Sequence, residues 1–182
     1  KKIIIIGSVK LFKAQMSILN RKVLLNEISN VNNSENKKIN IINVDYNFKD
    51  AFSEIKMNSN KYIEKCFDLS LKIIKKNKNY VLINGPVSKN TFLKKKFLGI
   101  TEYIGYRTKS RNPVMLIYNE KLAVSPLTTH VPIKKVTQLV KKDKIIKDII
   151  KIDKFYKLFL KKKPKIGVLG LNPHCESTSK IS

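Results

Sequence analysis

The chain has 182 residues, 42% of them hydrophobic, which is enough for one or two small domains with a sizeable core and excludes a disordered protein. Lys and Arg number 38 against 13 Asp and Glu, which gives a net charge of +25. Such an excess is typical of proteins that bind nucleic acid or an anionic membrane. Because the lysines are spread along the whole chain and only three arginines occur, we interpret the charge as compositional bias that helps to attract a phosphate-bearing substrate. We therefore expect neither a nucleic-acid nor a membrane partner.

The two cysteines, Cys66 and Cys175, are far apart and neither lies in a CxxC motif, so we expect no disulfide framework and no structural zinc site. No apolar stretch reaches the length of a membrane span, and the start is too short and too strand-like for a signal peptide. These features predict a reduced, cytoplasmic protein. The chain opens almost directly on a strand and stops just after a site-like motif, so we expect it to be a fragment.

The first half alternates strand and helix patterns. Short apolar runs predict strands at residues 3–6, 23–28, 39–44 and 80–83. Apolar residues at helical spacing predict helices over residues 9–19 and 59–76. The polar segment 30–38 is expected to be a loop, and the basic segment 92–97 is compatible with a helix.

In the second half, residues 114–118 and 122–127 flank Asn119-Glu120-Lys121, which predicts a hairpin. Helices are expected over residues 132–142 and 144–162, and a final strand over 166–171. Strands that alternate with helices predict an α/β fold with a mostly parallel sheet and some antiparallel pairing. The basic segment 91–100 is the expected lobe boundary.

Two histidines each follow a run that predicts a buried strand. His130 follows residues 122–127, and His174 follows residues 166–171. Ligands of an open α/β sheet bind beyond the carboxyl ends of its strands, and imidazole is a common metal ligand. A metal site is therefore one interpretation and packed or surface histidines are the other, because two histidines leave a catalytic zinc site one ligand short.

Two further segments carry candidate substrate contacts. Lys89 follows a Gly-Pro turn, where its amine could pair with a phosphate or carboxylate or transfer a proton; the alternative is a solvated lysine. The Thr101 hydroxyl could bind a phosphate while Glu102 orients a partner; the alternative is a capping box at a helix start. No GxGxxG loop follows the first strand, so the standard dinucleotide-binding fingerprint is absent.

Four segments, taken in order, resemble motifs of the 4-hydroxythreonine-4-phosphate dehydrogenase (PdxA) family. They are NGPVSK (84–89), FLGITEYIG (97–105), VMLIYNEKLAVSPLTTHVPI (114–133) and GLNPHCE (170–176). The TTH and GLNPH motifs are the most specific, and residues 10–57 match weakly. The resemblance implies an isocitrate/isopropylmalate dehydrogenase-like, two-lobed fold, with residues 1–95 in the first lobe and 96–182 in the second, metal-binding and dimerisation lobe, both incomplete.

The resemblance also implies the chemistry. The family oxidises 4-phosphohydroxy-L-threonine with NAD or NADP to a 3-keto product that decarboxylates, in pyridoxal 5'-phosphate biosynthesis, as a homodimer with a divalent metal such as Zn, Mg or Co. His130 and His174 match two of three metal-binding histidines, and Thr101 matches the threonine of the family's HTE substrate motif. Lys89 is our candidate catalytic residue. The family's third histidine and several phosphate-binding residues are expected beyond Ser182.

Two departures from the family pattern stand out. Ile100 occupies the substrate-binding position of the HTE histidine, and Cys175-Glu176 replaces a Gly-rich continuation. A paralogous dehydrogenase of another phosphorylated four-carbon hydroxy acid, or a basic nucleic-acid-binding module, remains an alternative. We expect the 182-residue piece alone to be inactive and only marginally stable.

Overall fold

A computed structural model describes residues 2–77, 79–94, 96–110 and 112–170 of the chain. Two compact units are present, Lys1–Ser110 and Arg111–Ser182. The assignment of residues 1–95 and 96–182 to two lobes stays a prediction. Within the described ranges, no helix is both long and apolar enough to cross a membrane.

The first unit contains a three-stranded parallel sheet. Its strands are β1 (Ile4–Gly7), β2 (Leu25–Glu27) and β3 (Ile39–Asn43), in the order β1-β3-β2. In the register, Ile5 pairs with Ile41 and Leu25 pairs with Ile39. Ile41 on the central strand is fully buried, as expected where both faces of a parallel sheet are covered. The predicted α/β class with a parallel sheet is confirmed.

Three helices complete the first unit: α1 (Val9–Ile18), α2 (Asn60–Lys76) and α3 (Ile100–Arg107). Single 3-10 turns lie at Val31–Asn33 and Met57–Ser59. Helix α1 contacts β3, while α2 contacts β1. The helices predicted over residues 9–19 and 59–76 are therefore confirmed to within a residue or two.

The described residues of the second unit, 112–170, contain two α-helices. They are α4 (Ile133–Leu139) and α5 (Lys142–Phe155), and α5 continues as one turn of π-helix, Tyr156–Leu160. The predicted hairpin is present as a single antiparallel bridge between Ile117 and Val124, closed by a bond from the Asn119 N–H to the Leu122 carbonyl (3.2 Å).

Three predicted strands are wrong over the described residues. Residues 80–83 and 166–170 are not in strands, and 122–127 contributes only the one bridge residue. Their apolar side chains are largely exposed: Ile83 by 90%, Leu169 by 93% and Leu122 by 71%. An apolar run predicts burial, but a strand also needs a neighbouring strand with which to form backbone hydrogen bonds. No described segment forms such a ladder with any of these three segments. Residue 171 lies outside the described residues.

The basic segment 92–97 was compatible with a helix, and its described residues form turns instead. Phe92 and Leu93 are buried there despite the neighbouring lysines. Their burial sets the local geometry, because the chain must turn to place two consecutive apolar side chains in the core.

Candidate active site

The NGPVSK segment ends in a tight turn that displays Lys89. The Ser88 Oγ accepts a hydrogen bond from the Thr91 N–H (3.2 Å), and the Ser88 carbonyl accepts from the N–H groups of Phe92 (3.1 Å) and Leu93 (3.3 Å). The Asn60 side chain at the start of α2 donates to the Thr91 carbonyl (2.9 Å). Lys89 is exposed on this turn, and no ion pair involving it is found among the described residues.

Thr101 lies in the first turn of α3. The helix begins at Ile100 after an extended Gly99, and no side chain caps it. The capping-box alternative for Thr101 is therefore wrong, because Thr101 is already inside the helix. Its side chain is half-buried and forms no hydrogen bond with any described residue, which leaves the hydroxyl available to a ligand.

One hydrophobic cluster holds both segments. The aromatic cluster, as we call it, consists of Phe67, Phe92, Leu93 and Tyr103. The Phe92 and Tyr103 ring centroids are 5.1 Å apart and those of Phe67 and Tyr103 are 5.4 Å apart, at the tilted angles that aromatic rings favour. Val87 and Ile100 also pack against the cluster. The Lys89 turn and the start of α3 therefore share one rigid support, and Ile100 serves as a packing residue.

A cavity of about 230 Å³ lies beside the Lys89 turn. Ser88, Thr91, Tyr46 and Tyr62 are among its lining residues, and the ring centroids of the two tyrosines are 4.6 Å apart. The remaining lining residues are Leu11, Asp50, Ala51, Ser53, Glu54, Ile55, Lys56, Ser59, Ile63, Pro86 and Val87. The lining residues come from α1, from the segment that follows β3, from the start of α2 and from the segment that follows the 80–83 run.

The amide groups at the start of α1 are occupied by the protein itself. The Ser8 N–H donates to the Tyr62 hydroxyl (2.9 Å), the Val9 N–H to the Asn43 Oδ1 (3.0 Å) and the Leu11 N–H to the Ser8 Oγ (3.2 Å). Standard dinucleotide folds use this helix start to bind the cofactor phosphates. The sequence lacks the GxGxxG fingerprint, and these bonds occupy the amide groups of the first βα turn. We call this internally bonded turn the closed cap.

Burial is the main cause of the pKa shifts of Tyr62 and Cys66, near this cap. It raises the pKa of Tyr62 to about 12, against a smaller lowering by the hydrogen bond from Ser8. Burial also raises the pKa of the Cys66 thiol, which the bond to Tyr62 only partly offsets. A thiol shifted in this direction is a weak nucleophile, so Cys66 is a structural residue.

His130 lies in the second unit, exposed, after the Ile117–Val124 bridge. Its φ is +54°, in the left-handed region that few non-glycine residues adopt. Within the described ranges, no group of three or more His, Cys, Asp or Glu side chains could hold a metal ion. His174 and Cys175 lie outside the described residues, so the paired-histidine site stays a prediction.

Sequence reasoning missed the side chains that hold these segments in place. Asn60, on α2, bonds to the Lys89 turn. Asp68, also on α2, pairs with Arg107 at the end of α3. Their partners are distant in the chain and belong to no motif. Only a three-dimensional structure reveals them.

A family model described as "Pyridoxal phosphate biosynthetic protein PdxA" matches residues 1–181. The chain belongs to the PdxA family. Among relatives, 4-hydroxythreonine-4-phosphate dehydrogenase of Sulfurihydrogenibium sp. (strain YO3AOP1) is 30% identical over 98% of this chain and 56% of its own length. The D-threonate 4-phosphate dehydrogenase of Pectobacterium atrosepticum is 34% identical over 42% of this chain and 23% of its own length.

The fold of this PdxA-family chain is also that of solved structures. The crystal structure of 4-hydroxythreonine-4-phosphate dehydrogenase from Klebsiella pneumoniae matches 94% of the chain with a TM-score of 0.81 at 19% identity, and the match covers 55% of that structure. At this identity the likeness establishes the fold alone. The chain spans about half the length of the curated relatives it matches.

Proposed function

We propose that this PdxA-family chain is part of an oxidoreductase that oxidises 4-phosphohydroxy-L-threonine in pyridoxal 5'-phosphate biosynthesis. NAD or NADP takes up the hydride, and the 3-keto product loses its carboxyl group. The family match over residues 1–181 supports the pathway. The observation that carries the site is the aromatic cluster, because it joins the Lys89 turn to the start of α3.

The chain's own residues have defined tasks in this proposal. The exposed Lys89 ammonium pairs with an anionic group of the substrate as a point charge, while the Thr101 hydroxyl supplies a directional hydrogen bond. A substrate that carries both a phosphate and a carboxylate offers a partner to each. Lys89 also stays our candidate catalytic residue for moving a proton.

The described residues do not fit a metal on their own. His130 presents an exposed imidazole, but no described group of three ligands surrounds it. We propose that His130 and His174 bind a divalent ion, Zn, Mg or Co, together with a ligand from elsewhere in the protein. The closed cap at the start of α1 implies that the cofactor phosphates are bound by residues other than the first βα turn.

We also propose the higher-order features that the family implies. Residues 1–95 and 96–182 would belong to the two lobes of an isocitrate/isopropylmalate dehydrogenase-like fold, in a cytoplasmic homodimer. The likeness to the Klebsiella pneumoniae structure supports the fold without testing the assembly. Gel filtration of the full-length protein would test it.

A second candidate substrate is D-threonate 4-phosphate, the compound in the name of the Pectobacterium relative. Ile100 favours this alternative, because its side chain packs against the aromatic cluster and offers no hydrogen bond. Threonate differs from hydroxythreonine in carrying a hydroxyl in place of the amino group. A site with fewer polar contacts discriminates less between these two groups.

The decisive experiment supplies both phosphorylated acids to the full-length protein and follows the absorbance of the reduced nicotinamide. We expect the higher kcat/KM with 4-phosphohydroxy-L-threonine. A preference for D-threonate 4-phosphate would support the second candidate. Turnover of neither, with salt-dependent binding of DNA, would support the basic nucleic-acid-binding module instead.

A further inference from the structure

Helix α3 has little of its own to fix its position. It is eight residues long, begins at an extended Gly99 and has no side-chain cap. Isolated helices this short are marginal in water, so tertiary contacts must determine its orientation. Since α3 carries Thr101 in its first turn, those contacts also determine where the Thr101 hydroxyl lies.

The first contact is apolar. The Tyr103 ring packs against Phe67 and Phe92, and a third ring, Phe97, lies 5.5 Å from it. Such packing fixes how deeply α3 sits in the core. Aromatic rings prefer certain tilts, but their contacts define the orientation of a helix less sharply than hydrogen bonds do.

The second contact is polar and directional. The Arg107 Nη1 donates to the Tyr103 hydroxyl (2.8 Å), and the Arg107 Nη2 pairs with the Asp68 carboxylate on α2. A guanidinium presents its donors in a rigid planar fork, so two simultaneous bonds define an orientation. Helix α2 is itself tied to the Lys89 turn through Asn60 and to the start of α1 through Tyr62.

We propose that Asp68, acting through Arg107 and Tyr103, is a positioning residue that orients α3 so that Thr101 faces the phosphorylated substrate. This proposal rests on the proposed function and adds a residue to it. The Asp68 side chain is half exposed, and exposed ion pairs contribute only about 0–1 kcal/mol to stability. The ion pair therefore matters for the geometry of α3 far more than for the stability of the fold.

The test uses two conservative variants of the full-length protein, Asp68→Asn and Arg107→Lys. Asp68→Asn removes the carboxylate charge but keeps an acceptor oxygen, and Arg107→Lys keeps the positive charge but removes the planar fork. We expect KM for the phosphorylated substrate to rise about tenfold, with little change in kcat or melting temperature, because small displacements of a binding group weaken productive binding. Glu35→Gln is the matched control: it removes an ion pair of similar exposure, Glu35–Lys38, on a loop away from α3.

The outcomes separate the two proposals. If the wild type turns over the substrate and both variants behave like Glu35→Gln, the positioning role is wrong while the proposed function stands. If the wild type acts on no phosphorylated hydroxy acid, both are wrong. A double variant whose KM is no higher than that of either single variant would support the proposal. Two residues that act through one shared interaction lose that interaction only once, so their effects do not add.

Discussion

At the scale of single residues, His130 is one of three described residues of the second unit with a positive φ, together with Asn112 and Lys161. A φ of +54° costs an ordinary residue about 1–2 kcal/mol, whereas Asn and His are enriched in this region. Backbone strain of this kind often accompanies a functional role. Because asparagine also adopts this conformation readily, His130→Asn tests the role of the imidazole without disturbing the backbone.

His130→Asn should therefore keep the backbone but lose the metal. In the full-length protein we expect zinc affinity to fall by about tenfold or more, together with loss of turnover, at nearly unchanged stability. His130→Ala should add about 1 kcal/mol of destabilisation, because alanine tolerates the left-handed region poorly. Zinc titration and thermal unfolding distinguish the two effects. Unchanged zinc affinity and turnover in both variants would contradict the metal role.

Tyr62 predicts a pH dependence of stability. Its pKa is about 12 in the folded chain against 10.0 for an unperturbed tyrosine, so between these values the unfolded state releases a proton that the folded state keeps. The contribution of Tyr62 to stability is therefore complete below about pH 10 and is lost as the pH rises towards 12.

Tyr62→Phe should cost about 1 kcal/mol at pH 8, because the Ser8 N–H loses its acceptor. Its deficit relative to the wild type should shrink between pH 10 and 12, as the wild type alone loses the Tyr62 contribution. Urea unfolding across this range measures the difference. Tyr118→Phe, in the second unit beside Tyr156, is the control and should follow the wild type. A constant deficit for Tyr62→Phe would contradict the assignment.

At the scale of elements, α2 is the support of the candidate site. Asn60 in its first turn holds the 88–94 turn, and Asp68 further along holds α3. The Asn60 amide nitrogen is bonded, but its buried Oδ1 has no hydrogen-bond partner among the residues that the structure describes. Because only one of the two polar atoms of this amide is bonded, we expect Asn60→Ala and Asn60→Asp to differ in their cost to stability.

Asn60→Ala should cost only about 1 kcal/mol, because it removes one hydrogen bond but also one unsatisfied acceptor. Asn60→Asp should cost more, about 3 kcal/mol, since it buries a carboxylate beside the Thr91 carbonyl. Both should speed cleavage after Lys89 by a lysine-specific protease. Asn32→Ala, on an exposed loop, is the control. Equal stability of the Ala and Asp variants would contradict this account.

The elements also show what the sequence could predict. Helices α1 and α2 follow from apolar spacing within one segment, which is local information. The strands at 80–83 and 166–170 were wrong, because a strand needs a partner elsewhere in the chain. The motifs located Lys89 and Thr101, but the bonds from Asn60 and Asp68 that position them carry no local signal.

At the scale of the whole molecule, charge and length both bear on activity. A net charge of +25 favours encounter with a doubly anionic substrate, and added salt would weaken that attraction. The PdxA-family relatives are nearly twice as long as the matched region. Activity is therefore compared between this chain and the full-length protein.

The 182-residue chain alone is accordingly expected to show no turnover of 4-phosphohydroxy-L-threonine with NAD or NADP. The proposal takes two metal ligands, His130 and His174, from this chain and a further ligand from elsewhere in the protein, so with the chain alone the ion that activates the hydroxyl would lack a ligand. The measurement compares the chain with the full-length protein at equal molar concentration, after circular dichroism has shown that both are folded. Turnover by the chain alone that disappears in His130→Asn would contradict this prediction and would place a complete site within these residues.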